Sequence, residues 1–212
     1  MANDRKLTIM VSSTVYGIEE LLDRIYTLLT AFGYEVWMSH KGTVPVSSNR
    51  SALENCLAAT EKCNLFLGLI TPHYGSGNED DGLSFTHQEL LKAIDLNKPR
   101  WLLAHDYVVF ARSLLNCLGY EGRDGRKKLS LQKNQIIDDL RVIDMYEDAI
   151  LSQKPLRERQ GNWVQKFSSS DDAALFATAQ FSRYQEVEAF VRENFSDSAH
   201  IAHVVKDNKG RP

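Results

Sequence analysis

The chain has 212 residues, a net charge of −3, 43% hydrophobic and 25% charged residues. That length is enough for one large domain with a real core, and the near-neutral charge excludes a global attraction to nucleic acid or to an anionic membrane. Cys56, Cys63 and Cys117 are an odd set with no C-x-x-C pair, which argues against a disulfide framework and for a reducing compartment.

Lys6 to Ser13, "KLTIMVSS", is a short apolar run ending in hydroxyl residues and predicts a buried strand followed by a turn. Apolar residues at 18, 21, 22, 25, 28, 29 and 32 have helical spacing, and Gly33 stands where a helix stop is expected. Residues 34–39 predict a second strand and 41–49 a loop. Asn49 or Ser51 caps a helix running to about Lys62. "NLFLGLIT", residues 64–71, alternates poorly and predicts a central strand covered on both faces. A glycine- and acid-rich loop, 72–81, leads to a helix from Ser84 to Leu96, capped by Ser84 or Thr86, and 99–105 predicts a fourth strand.

This alternation predicts an α/β fold: a flavodoxin-like, doubly wound parallel sheet of about five strands. Residues 107–158 are expected to be a helical insertion before the last strand, with a helix at 106–118, a solvated polar loop at 119–128 and a long helix at 129–151. Gly161 to Phe167 predicts the fifth strand, followed by a helix from about 171 to 194 and a polar tail, 196–212. The whole is read as a single domain, with a core of 6–106 plus 161–195.

The opening "MANDRKL" lacks the apolar segment of a signal peptide. No apolar run approaches the roughly 18 residues that a membrane helix needs. A cytoplasmic, soluble protein is expected. The histidines have no zinc spacing, so no metal site is expected.

Ligands of open parallel sheets bind beyond the carboxyl ends of the strands. Ser12, Ser13 and Thr14 fall at that edge after the first strand, where the "VSST" turn either presents N–H groups and hydroxyls to an anion or simply caps a helix. Tyr74 and Gly75 fall there after the third strand; Tyr74 either walls the cleft, stacking on a base or sugar, or packs within its loop. Glu89, in the first turns of the following helix, is either a surface acid favoured by the helix dipole or a group aimed into the cleft. No G-x-G-x-x-G or Walker motif is present, which disfavours a dinucleotide-binding Rossmann site or a P-loop. A hydrolase triad of Ser12 or Ser13 with His87 and Asp106 lacks the G-x-S-x-G elbow. The basic run Arg123, Arg126, Lys127 and Lys128 carries Glu121 and Asp124 among it, so it reads as a solvated loop rather than a nucleic-acid surface.

"IMVSSTVYGIEELLDRIYTLLTAFGYEV", "CLAATEKCNLFLGLITPHYGS" and "LSFTHQELLKAIDLNKPRWLLAHD" together resemble a bacterial domain-of-unknown-function family related to TIR domains, over residues 6–106. That family has a strand ending in "ISST", a "C…I..CD.FI.I…RYG" segment and an "S.T..E...A...GKP" segment. Asn64 stands where it usually has an acid, and His73 where it often has a basic residue. TIR domains and nucleoside deoxyribosyltransferases share a flavodoxin-like layout and use a helix-borne glutamate at an anomeric carbon. The transferases place a threonine three residues before it, as Thr86 precedes Glu89 here.

The resemblance implies a catalytic Glu89, Ser84 and Thr86 orienting ribose hydroxyls or the carboxylate, and Ser12 or Ser13 contacting phosphate or ribose. It implies N-glycosidase action on NAD or a related nucleotide, with no further cofactor, in bacterial defence. The alternative is a non-catalytic module that senses a nucleotide or self-assembles with its own copies or other TIR-type partners in signalling. Neither a nucleic-acid nor a membrane partner is expected.

Overall fold

The computed structural model describes residues 6–77, 82–132 and 136–184. Five strands, β1 (Thr8–Ser13), β2 (Glu35–Met38), β3 (Leu65–Ile70), β4 (Arg100–His105) and β5 (Val164–Phe167), form one sheet in the order β2-β1-β3-β4-β5. Every neighbouring pair is parallel. The expected fold class is therefore the observed one, with the flavodoxin-like strand order.

Strand periodicity explains the layering. Ile9, Val11, Leu65, Leu67 and Leu69 point to one face, where α1 (Glu19–Ala31) and α7 (Ser170–Phe181) cover them. Met10, Phe66, Ile70, Leu102 and Ala104 point to the other. That face is covered by α2 (Ala52–Lys62), α3 (Phe85–Asp95), α4 (Asp106–Cys117) and α6 (Arg141–Ala149). All six residues of β3 are buried, as its uninterrupted apolar run requires of a strand covered on both sides.

Several helix starts are written in local chemistry. Ser51 accepts from the Glu54 N–H while Glu54 reaches back to the Ser51 N–H, a complete capping box. Ser169 and Asp172 repeat the arrangement before α7. Ser84 caps α3 by accepting from the His87 N–H at 3.3 Å.

The segment between β4 and β5 departs from expectation. The helix predicted over 129–151 is only α6, from 141 to 149. Upstream of it the Asp138 and Asp139 carboxylates bond backbone N–H groups, of Tyr74 and Arg141 respectively, and so compete with helical pairing. The expected solvated loop contains a short helix, α5 (Gly122–Arg126), and Arg126 is buried against Asp144 and Glu147. The part of the predicted 171–194 helix beyond 184 and the predicted tail lie outside the described residues. Among the described residues no helix is long and apolar enough to cross a membrane.

Candidate active site

The order β2-β1-β3 means that the chain leaves β1 toward one side and returns to its other side. A parallel sheet opens a crevice at such a switch point, beyond the carboxyl ends of the two central strands. The crevice is present: a cleft of about 420 Å³, lined by residues after β1 and β3 and from the first turns of α2 and α3. That volume lies in the range of small-ligand sites.

Ser13 and Thr14 line one wall, and Gly75 and Ser76 the loop beyond β3. Gly75 has φ of +90°, and a Cβ there would sit 3.0 Å from the Thr14 hydroxyl oxygen. The loop can thus close against the β1 turn only with glycine at this position. At Gly77, φ +88°, a Cβ would collide with the Phe85 ring at 2.0 Å. Tyr16 stands at the rim, 71% exposed, with its ring edge-on to His73 at 4.9 Å.

Glu89 lines this cleft and is only 5% exposed. Its carboxylate accepts a hydrogen bond from the Ser12 hydroxyl, and the Cys56 thiol also bonds it. Helical geometry places the side chain: Phe85, Thr86 and Glu89, at i, i+1 and i+4, share the front of α3 and all line the cleft. Burial pushes the Glu89 carboxyl above its ordinary range, and the Ser12 and Cys56 hydrogen bonds offset only part of that. Burial, and then the adjoining Glu89, push the Cys56 thiol up to about 12, so it is a protonated donor near neutrality. No Lys, Arg or His lines the cleft among the described residues, so its one ionisable acid has no cationic partner on these walls.

The structure therefore brings Ser13, Thr14, Gly75, Thr86 and Glu89 together as lining, with Ser12 directly behind, bonded to Glu89. Tyr74 and Ser84 go elsewhere. Tyr74 is 2% exposed in the core, its hydroxyl 2.8 Å from His87 Nδ1. Any stacking wall falls instead to Tyr16 and Phe85. Ser84 is fully buried, its hydroxyl accepting from the His87 N–H in the cap of α3 and also bonding the Tyr74 hydroxyl. His87, which the sequence leaves free to be an exposed helix residue, is fully buried with both ring nitrogens engaged, by Tyr74 and by Asp148. That arrangement leaves no ring nitrogen for a Ser–His–Asp triad with Asp106. Among the described residues no cluster of three or more His, Cys, Asp and Glu is placed to hold a metal.

Cys56 escaped the sequence reading. Its signal was its position: one turn into the helix after β2, it reaches the same strand ends as Ser13.

Residues 8–175 match a family described only as a domain of unknown function, DUF4062. The chain belongs to that family. The match spans the five strands, both cleft walls and the helices inserted before β5, so cleft and insertion belong to one family unit. No curated protein matches the sequence of this DUF4062 member.

Proposed function

We propose that this protein is a TIR-like N-glycosidase acting on NAD or a related nucleotide, with Glu89 as the catalytic carboxylate. The observation that carries the reading is Glu89 itself: a buried acid at the sheet's switch point, without a cationic partner among the described residues, facing a nucleoside-sized cleft walled by hydroxyls. Buried, shifted titratable groups in clefts concentrate at functional sites.

The chemistry follows from the surroundings. Cleaving an N-glycosidic bond builds oxocarbenium character on the ribose. A fixed carboxylate beside the anomeric carbon stabilises that charge or captures the sugar covalently. Burial makes Glu89 hold its proton more tightly than an ordinary carboxyl. A cationic glycoside entering the cleft would favour the ionised form through direct attraction. Ser12 then holds the carboxylate's orientation, while Ser13, Thr14 and Thr86 offer hydroxyls to the sugar. Tyr16 and Phe85 offer aromatic surface to the base.

The test is nicotinamide release from NAD by the purified protein, with Glu89→Gln alongside. Release should fall on the order of 10²–10³-fold in the variant, as for loss of one preorganised electrostatic group. Undiminished release from Glu89→Gln would remove Glu89 from the mechanism.

A second reading, a self-assembling signalling module, has one specific observation in its favour. Tyr107, Phe110, Leu114 and Leu118 recur at helical spacing along and just past α4 and are 52%, 66%, 46% and 61% exposed. Concentration-dependent light scattering with no turnover of NAD would favour it.

A further inference from the structure

Glu89 sits on the front of α3; the back of the same helix is gripped by the segment inserted between β4 and β5. His87 precedes Glu89 by two positions, which turns it roughly 200° around the helix axis, away from the cleft. It is fully buried, and its Nε2 lies 2.8 Å from the Asp148 carboxylate of α6. Its Nδ1 lies 2.8 Å from the Tyr74 hydroxyl, so the ring bridges Asp148 of the insertion and Tyr74. Tyr74 is the residue before Gly75, the cleft wall.

The same segment holds Tyr74 at two further points. The Tyr74 N–H donates to Asp138 at 2.8 Å, and the Arg141 guanidinium lies over its ring at 4.7 Å. Arg141 also donates to the Gly82 carbonyl at 2.9 Å, just before α3 begins. Asp148 is itself held by Arg123 of α5, whose donor reaches the same carboxylate oxygen that serves His87.

We propose that Asp148 and His87 are positioning residues of the Glu89 site. Through Tyr74 they fix the Gly75 wall and the rotation of α3, and so the direction of the Glu89 carboxyl. The insertion then belongs to the cleft as its rear support. This inference rests on Glu89 being the working group of the cleft, but not on the reaction it performs.

Cys56 supplies a readout that needs no turnover. Its thiol lines the cleft and bonds Glu89, so its reactivity reports where that carboxyl points. Cys117 is exposed and Cys63 buried, so the measurement uses the Cys117→Ser protein and follows iodoacetamide labelling of Cys56 by mass spectrometry. Glu89→Gln, which removes the neighbouring charge, sets the reference for a released thiol. Asp148→Ala should speed labelling about three- to tenfold, the gain in thiolate from a fall of half to one pKa unit. Asp148→Asn keeps a carbonyl oxygen for both His87 and Arg123, and should stay near the parent rate. Tyr74→Phe keeps the ring and removes only the hydroxyl; it should speed labelling as well, and it decides the matter if Asp148→Ala does not fold.

Parent-like labelling in folded Asp148→Ala, or in Tyr74→Phe where that is the deciding variant, would overturn the proposal. Equal acceleration in Asp148→Asn and Asp148→Ala would do the same, since loss of the carboxylate's charge rather than the hydrogen bond would then be responsible. Loss of nicotinamide release with none of these labelling effects would sink the positioning role and leave the glycosidase standing; the labelling pattern without any release would do the reverse.

Discussion

Glu89 and Glu147 are buried almost equally, 5% and 6% exposed, one in the cleft and the other in the inserted helices. They shift in opposite directions. At Glu147 burial also works to raise the carboxyl, but hydrogen bonds and charge from Arg126 and Arg112 more than reverse it, and the group falls below its ordinary range. At Glu89 no cation among the described residues offsets burial, and the group rises. Where a buried charge is matched, its environment is explained by structure alone. Where it is left unmatched beside open space, stability has been conceded, and concessions of that kind gather at functional sites.

The largest expected effect breaks the matched side. Arg126 is 4% exposed and bonds Asp144 and both oxygens of Glu147. Arg126→Met roughly keeps the volume but takes the guanidinium from Asp144 and leaves Glu147 with Arg112 alone, and should cost about 3–5 kcal/mol, the usual result of removing one partner of a buried pair. Urea unfolding measures it directly. A loss below about 1 kcal/mol would mean that water already screens the network as it does a surface pair.

The unmatched side should behave with the opposite sign. The Glu89 carboxyl is raised in the folded state, so the fold binds its proton more tightly than the unfolded chain does. Its contribution is intact below the ordinary glutamate pKa and is lost as pH rises through the folded value. Glu89→Gln, neutral throughout, should match the parent near pH 4 and exceed it by about 1–3 kcal/mol at pH 8, the penalty of a buried group whose needs are only partly met. The matched Glu147, depressed in the fold, instead contributes above the ordinary glutamate pKa and loses that contribution as pH falls through its folded value. Denaturant midpoints across pH for the parent and Glu89→Gln separate the two carboxyls. A difference that shrinks as pH rises would place a cation against Glu89.

These two sites were not equally legible in the sequence. The strands, the capping serines and the place of Glu89 near the start of α3 follow from periodicity and local chemistry, which act over a few residues. The edge residues Ser13, Thr14 and Gly75 follow once a parallel sheet is inferred, because that topology directs strand ends to one side. The sequence leaves Tyr74 between cleft wall and packed loop residue, and Ser84 between helix cap and ribose contact, because neighbours in sequence point in opposite directions, and only packing decides which one faces the cleft. Arg126 and His87 were illegible for a different reason. Each looks like a solvated polar residue until partners 18 or more positions away, Asp144, Glu147 and Asp148, are folded against it. A helix expected over 129–151 was overridden likewise, by Asp138 reaching 64 residues back to the Tyr74 backbone.

The smallest expected effect bears most directly on the cleft. The Ser12 hydroxyl donates to Glu89, and a donor favours a carboxylate more than a neutral carboxyl. Ser12→Ala should therefore cost about 0.5–1.5 kcal/mol where Glu89 is protonated, and more once pH passes the Glu89 titration. It should also move that titration further upward, because the first of the two hydrogen bonds that lower it is gone and burial remains. Cys56 cannot substitute, since its thiol is a weak donor already committed to the same carboxyl. Stability of the parent and Ser12→Ala at pH 5 and pH 8 tests the coupling. A cost that does not grow with pH would mean that the serine packs beside Glu89 without holding its charge, and the orientation of the carboxyl would then rest on α3 alone.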